Sequence, residues 1–290
     1  VDKPLPFSTR DSTSSTAQTQ SPIVLSVAGS DSGGGAGIQA DIKAISATGS
    51  YACTVITALT AQNTCGVSAV LPVAQDFIKA QFDAVFTDIA VDVVKIGMLG
   101  DAATIRTVAE ALRQYPVKQI VLDPVMVATS GDLLLEKAAI SSLITELLPM
   151  ATVVTPNIAE ALALLSLDPE QKINTESQSL ALCRDLLALG CQSVLVKGGH
   201  QDTPLSCDYW LSEQRQQIFS SPRIDTPNTH GTGCTLSSAI ASFLAQGHSL
   251  TAAIELAKQY ITQAIRHGKQ LHIGNGSGPV EHFFAQKNYD

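Results

Sequence analysis

The sequence predicts a three-layer α/β/α fold around a mostly parallel central sheet. Three observations carry this. Short β-branched apolar runs alternate with amphipathic stretches from residue 22 onward. Most of those runs are apolar throughout rather than every second residue, as strands buried on both faces require. The chain has 290 residues, 45% hydrophobic and 15% charged, enough to bury a large core.

The elements follow in order. Residues 1–21 are rich in Ser, Thr, Gln and Pro, and read as a disordered tail or linker before a single domain over 22–290. The start at Val1 suggests processing, or a piece of a longer polypeptide. Strands are expected at 23–28, 51–59, 67–73, 93–97, 119–122, 152–155 and 193–196, where Val, Ile and Thr cluster between turn residues. Helices are expected between most of them, at 37–47, 75–86, 101–114, 138–148, 158–165 and 177–189. Residues 208–211 and 217–220 read as a small β-hairpin near 208–220, ahead of a C-terminal helix pair. The first helix of that pair starts near Gly233 or Cys234, because Leu236, Ile240, Phe243 and Leu244 recur at helical spacing and Gly247 ends the run.

Composition narrows the function. A formal charge of −8 argues against a general nucleic-acid binder, whose footprint is basic. The six cysteines form no C-x-x-C pair and no zinc spacing, and read as reduced thiols of a soluble, cytoplasmic protein. No apolar stretch is long enough to span a bilayer, and the first residues have no signal-peptide pattern.

In open α/β sheets ligands bind outside the carboxyl ends of the strands. After the first strand comes GSDSGGGAGIQAD, residues 29–41, which contains a G-x-G-x-x-A dinucleotide fingerprint at 35–40. That fingerprint wants an acidic residue about 20 positions on, and no Asp or Glu lies between Asp41 and Asp76. A Walker A loop is absent as well. What remains is a flexible glycine loop beside a ligand, with Asp41 on the first turns of a helix. Further along, strand ends run into Asp123, into Asn157-x-x-Glu160 and into Lys197. Singly these read as a turn, a helix cap with its capping box, and a surface lysine.

The segment THGTGCTLSSA, 229–239, places Gly231, Thr232, Gly233 and Cys234 at a helix start. Free N–H groups and the positive helix end suit an anion there, so the segment reads as a phosphate cradle, or as a tight turn that binds nothing. A bound anion would face Cys234, whose thiolate form a helix N-terminus favours. Two carboxylates, a cation and an anion cradle on one rim are the equipment of phosphoryl transfer with Mg²⁺.

These motifs together resemble the ribokinase-like superfamily, and within it the hydroxymethylpyrimidine/phosphomethylpyrimidine kinases of thiamine biosynthesis. The residues that carry the resemblance are 29–41, VITALTAQNTCGV at 55–67, KIGML at 95–99, LDPVM at 122–126, TPNIAE at 155–160, VKGGH at 196–200, 229–239 and GPVEHF at 278–283. The resemblance implies an ATP- and Mg²⁺-dependent kinase, a transferase acting on a small pyrimidine alcohol and its monophosphate, and a homodimer. It implies that Gly29, Asp41, Gln62, Met98 and Val125 bind substrate. It also implies that Asn157, Lys197 and Thr232 meet ATP, and that Asp123 and Glu160 serve the metal. Cys234 is implied as the base, with Gly231 and Gly233 as the anion hole. A pyridoxal kinase, or a dual enzyme, is the alternative within the fold; a non-catalytic pyrimidine sensor is the alternative outside enzymology.

Overall fold

In β1 (Ile23–Ala28) every residue after the first is buried, the solution for an apolar run with helices on both sides. A computed structural model describes residues 21–115, 117–127, 134–136, 138–198 and 204–286. All but Ser21 of the expected N-terminal tail lies outside that range, as do Gly199 and His200 of the VKGGH motif. After β1 come α1 (Gly37–Ala47), β2 (Tyr51–Ile56), β3 (Ala58–Asn63), β4 (Gly66–Pro72) and α2 (Gln75–Phe86). The middle of the chain supplies β5 (Val93–Ile96), α3 (Ala102–Gln114), β6 (Gln119–Leu122), α4 (Ala139–Ser142), β7 (Val153–Val154) and α5 (Ile158–Leu164). The last part holds α6 (Glu176–Leu187), β8 (Ser193–Lys197), β9 (Leu205–Ser212), β10 (Gln216–Pro222), α7 (Thr232–Ala245) and α8 (Leu250–Gly268).

Eight strands form one sheet in the order β10-β9-β8-β7-β6-β5-β1-β2. From β8 to β2 all pairings are parallel. The strands divide their side chains between two cores, because successive residues point to opposite faces. Leu25, Val27, Val94, Ile96 and Leu122 pack under α2 to α6. Val24, Val93, Val121, Val153 and Leu195 pack under α1, α7 and α8. The parallel register brings the carboxyl ends of β1, β5, β6, β7 and β8 to one rim, and the loops that leave them carry the candidate residues.

Three elements differ from the sequence reading. The run expected as one strand over 51–59 is broken at Thr57, whose N–H bonds to Ala28 O and whose hydroxyl bonds to Met98 O. There the chain leaves the main sheet, and β3 pairs with β4 as a separate antiparallel hairpin bulged between Ala61 and Gln62. The second difference concerns the hairpin near 208–220. It is present as β9 and β10, and it extends the main sheet through an antiparallel pairing of β9 with β8. The third is the helix expected over 138–148. It is α-helical only over α4, continues as a π-turn through Leu143–Leu147 and tightens to 3₁₀ at Leu148–Met150. Thr145 returns its hydroxyl to Ser141 O at 3.0 Å, which competes with the backbone ladder, and Pro149 has no N–H to continue it.

Candidate active site

The glycine loop after β1 is wound around one carboxylate. Asp31 is buried; its Oδ1 accepts from Gly33 N–H at 2.8 Å and its Oδ2 from Gly35 at 2.9 Å and Ala36 at 2.8 Å. His230 Nε2 lies 2.9 Å from the same Oδ2. Burial works against the Asp31 charge, but the His230 contact and the backbone donors outweigh it and hold its pKa below the usual carboxylate value. The loop is therefore pinned, contrary to the flexible loop the sequence suggested.

Two glycines make that pinning possible. Gly37 has φ +54°, and a Cβ there would come 2.5 Å from Gly29 O. Gly231 has φ +77°, and a Cβ there would collide with the carbonyl of Gly35. The glycine loop and the start of α7 thus meet backbone to backbone. Gly231 caps α7 without a side chain, which leaves the N–H groups of Gly233 and Cys234 with no acceptor inside the helix.

Across from those N–H groups stands a charged cluster from β6, β7 and β8. Lys197 Nζ donates to Asp123 Oδ1 at 2.8 Å and lies 3.9 Å from Glu160 Oε2. Thr155 and Ser237 hydroxyls donate to Asp123, each at 3.2 Å. Asn157 and Glu160 do form the expected capping box, with both bonds at 2.8 Å. A Cβ on Gly233 would sit 3.2 Å from Lys197 Nζ and 3.6 Å from Asp123 Oδ2, so the glycine keeps the ammonium close to the helix start.

Burial is the largest influence on each member of this cluster, and its outcome differs. For Asp123 the charges of Lys197 and Lys95 win, and its pKa is lowered. For Glu160 burial, aided by Asp123, outweighs Lys197 and raises the pKa to about 7. Lys197 is held above its ordinary value by Asp123 and Glu160 despite burial. Among the described residues no three Asp, Glu, His or Cys converge as a metal cage. Two carboxylates beside an anion cradle still fit Mg²⁺, which keeps several waters and completes its shell with phosphate oxygens.

Asp123, Glu160 and Lys197 line one continuous cavity of about 600 Å³. Gly29 and Asp31 after β1, Gln62 of β3, Met98 after β5 and Val125 after β6 line it. So do Asp208 of β9, which lies beyond β8 in the strand order, Ile224 after β10, and Lys258, Ile261 and Ile265 of α8. Gly231, Thr232, Gly233, Cys234, Asn157 and Lys197 line the same cavity.

The sequence profile of the phosphomethylpyrimidine kinase family matches residues 31–281. The chain belongs to that family. It is 48% identical over 261 residues to a hydroxymethylpyrimidine/phosphomethylpyrimidine kinase from Salmonella typhimurium, an alignment covering 90% of this chain and 97% of that one. The solved phosphomethylpyrimidine kinase of Clostridium difficile superposes with TM-score 0.73 at 43% identity, covering 84% of this chain and 99% of that one. An ADP complex of Bacillus subtilis pyridoxal kinase superposes with TM-score 0.84 at 34% identity, covering 93% and 100%.

The structure of this kinase corrects two sequence expectations. Asp41 does not line the cavity: it is fully buried, and both its oxygens are taken by Lys95 Nζ at 2.8 and 2.9 Å. Ser26 and Ser238 hydroxyls complete its shell at 2.6 and 2.7 Å. The second correction is the Cys234 thiol. Burial pushes its pKa up to about 11, against the pull of Lys95 and the Gly37 N–H, so the free kinase holds a neutral thiol at neutral pH. Helix-dipole reasoning gave the sign of one influence and omitted a larger one.

Among the cavity residues that escaped sequence reasoning are Asp31, Lys95, Lys258 and His230. Lys95 left a readable signal, a lysine inside the apolar strand VVKI. Lys258 left a similar one on the buried face of α8; its ammonium bonds Asp208 at 2.7 Å and Ser206 at 3.1 Å.

Proposed function

We propose that this kinase transfers the γ-phosphoryl group of ATP to the hydroxymethyl oxygen of 4-amino-5-hydroxymethyl-2-methylpyrimidine. It then phosphorylates that monophosphate to the diphosphate, as a step of thiamine biosynthesis. The observation that carries the reading is one cavity lined by the loops after β1 and β5, by the start of α7 with the N–H groups of Gly233 and Cys234, and by α8. An alcohol beside Gln62 and a nucleotide beside Ile261 would meet at those N–H groups. Residues 22–290 then act as one kinase domain.

The substrate oxygen attacks the γ-phosphorus, and the bond from that phosphorus to the β-bridging oxygen breaks, releasing ADP. Charge spread over the γ-oxygens meets the N–H groups of Gly233 and Cys234, at the helix start that Gly231 caps, and the ammonium of Lys197. Thr232 and Asn157 border the phosphate path. Mg²⁺, held by Asp123 and Glu160 through its waters, would neutralise charge on the phosphate oxygens. Cys234 stands where the hydroxyl proton departs; the thiolate form of its side chain, a minor fraction before the reaction, takes that proton late, as a loose transition state allows. Gln62, whose amide both donates and accepts, faces the aminopyrimidine edge, with Met98 and Val125 as apolar walls and Gly29 beneath.

Pyridoxal, also a heteroaromatic hydroxymethyl compound, is the competing acceptor, favoured by the likeness to the Bacillus subtilis pyridoxal kinase. ADP release measured with hydroxymethylpyrimidine, its monophosphate and pyridoxal distinguishes them. Turnover of both pyrimidines is expected; turnover of pyridoxal alone overturns the substrate, and no ADP with any acceptor would favour a sensor.

A homodimer fits the exposed Leu59, Val70 and Leu71 of the β3–β4 hairpin and Phe77 of α2. Six free thiols fit a reducing cytoplasm. Among the described residues no helix is long and apolar enough to cross a membrane.

A further inference from the structure

Lys95 and Asp41 are both wholly withdrawn from solvent, with Nζ and Oδ1 2.8 Å apart. A buried ion pair contributes little to stability against an apolar pair of the same volume, so its retention in the middle of VVKI asks for another reason. Its location supplies one. Ser238, which donates to Asp41 Oδ1 at 2.7 Å, lies one helical turn below Cys234 on the same face of α7. Lys95 itself lines the active-site cavity. Its ammonium rests over Gly97, where a Cβ would come 2.9 Å from Nζ.

We propose that Lys95 is a positioning residue for phosphoryl transfer. Clamped by Asp41, which the Ser238 hydroxyl holds beneath the first turn of α7, it supplies fixed positive charge under the Cys234 thiol and under the anion received there. The groups that act on Cys234 by charge are Lys95 from β5, Asp41 from α1, Asp123 after β6 and Lys197 from β8. Burial disfavours the Lys95 ammonium, but Asp41, then Cys234 and Asp123, hold its pKa above the ordinary value, so it stays charged. Among the influences that lower the thiol pKa, Lys95 comes before the Gly37 N–H; Asp41 acts in the opposite sense. Cys234 therefore senses the difference between two charges, and removing either one should move it in an opposite direction.

The test is alkylation of Cys234 by iodoacetamide at pH 8.5 in the full chain without substrate, read peptide by peptide, with the exposed Cys65 as internal reference. Relative to Cys65, Asp41→Asn should speed Cys234 alkylation about tenfold and Lys95→Met should slow it about tenfold, the effect of one pKa unit on a small thiolate fraction. Loosening of the fold would speed both, and equal or parallel rates overturn the proposal. Should Lys95→Met not fold, the neutral pair Lys95→Met/Asp41→Asn isolates the lysine. Alkylation about tenfold slower than in Asp41→Asn supports the role, and equal rates overturn it. A kinetic arm rests on the proposed transfer reaction: where Lys95→Met folds, it lowers kcat with the pyrimidine KM within about threefold. The alkylation arm needs no substrate, so its failure is distinguishable from a wrong substrate.

Discussion

Two lysine–aspartate pairs flank the start of α7, each 2.8 Å long, and they differ in what surrounds them. Lys95–Asp41 is closed: both side chains are 0% exposed, and both carboxylate oxygens also accept a serine hydroxyl. Lys197–Asp123 opens to the cavity, with the lysine side chain 14% exposed and Glu160 standing 3.9 Å away. Its hydroxyl donors to Asp123 are long, at 3.2 Å. The difference teaches what each pair can do. The closed pair is shielded from solvent and acts as a fixed charge, whereas in the open pair the lysine can turn to phosphate and the carboxylates to a hydrated cation.

The comparison breaks most readily at the open pair. Lys197→Ala should lower kcat about 10³-fold, the upper range for loss of one donor to a developing anion. Thermal unfolding should distinguish lost chemistry from lost fold. A smaller loss, about 10², is expected for Cys234→Ala, the low end for a general base, because only a small fraction of the thiol is ionised before the reaction. Cys234→Asp should recover part of that rate and move the acidic limb of the pH–rate profile downward, since Asp titrates below Cys. A near-normal kcat for the alanine variant would leave Gly231, Gly233 and Lys197 as the transfer machinery.

The smallest effect concerns a closed group away from both pairs. His282 lies 2.9 Å from the Thr235 hydroxyl below the first turn of α7; burial first, then the Lys43 charge, lowers its pKa to about 4, against Glu281. As pH falls below 6.5, the ordinary value for histidine, the unfolded chain takes up this proton and the folded chain resists until about 4. Stability should therefore be full above 6.5 and decline toward pH 4, by on the order of 3 kcal/mol from this group. Denaturant titration of His282→Gln should show a correspondingly shallower acid decline; an unaltered slope would remove His282 from the account.

Much of the open cluster was legible because fold class tells where to look. Asp123 follows β6, Lys197 ends β8 and Glu160 stands on the first turn of the helix after β7, at strand ends that share a rim, and the paired glycines of 229–239 mark a backbone that something approaches closely. The closed pair was harder. Asp41 was placed against substrate by resemblance, yet Ile38, Asp41 and Ile45 share the buried stripe of α1, which marks Asp41 as a core residue in need of a cation. Lys95, among the apolar residues of β5, is that cation. Sequence gives each half of such a pair as an anomaly; only the register of β5 against β1 and the packing of α1 join them. The Cys234 thiol shows the same limit. A helix start is readable from glycines and spacing, but the desolvation that dominates the thiol is a property of the assembled cavity. The Thr57 corner escaped for a plainer reason, since the strand-forming run continues unbroken across it.

The division between an open and a closed pair is tested most directly by phosphorylation rate against Mg²⁺ concentration in Asp123→Asn, Glu160→Gln and Lys95→Met. The first two are predicted to lower kcat and require more Mg²⁺ while the pyrimidine KM changes little, and Lys95→Met to lower kcat without raising its Mg²⁺ requirement, since it removes a cation near Asp123. Unchanged Mg²⁺ curves in both carboxylate variants, or a raised requirement in Lys95→Met, would contradict the division.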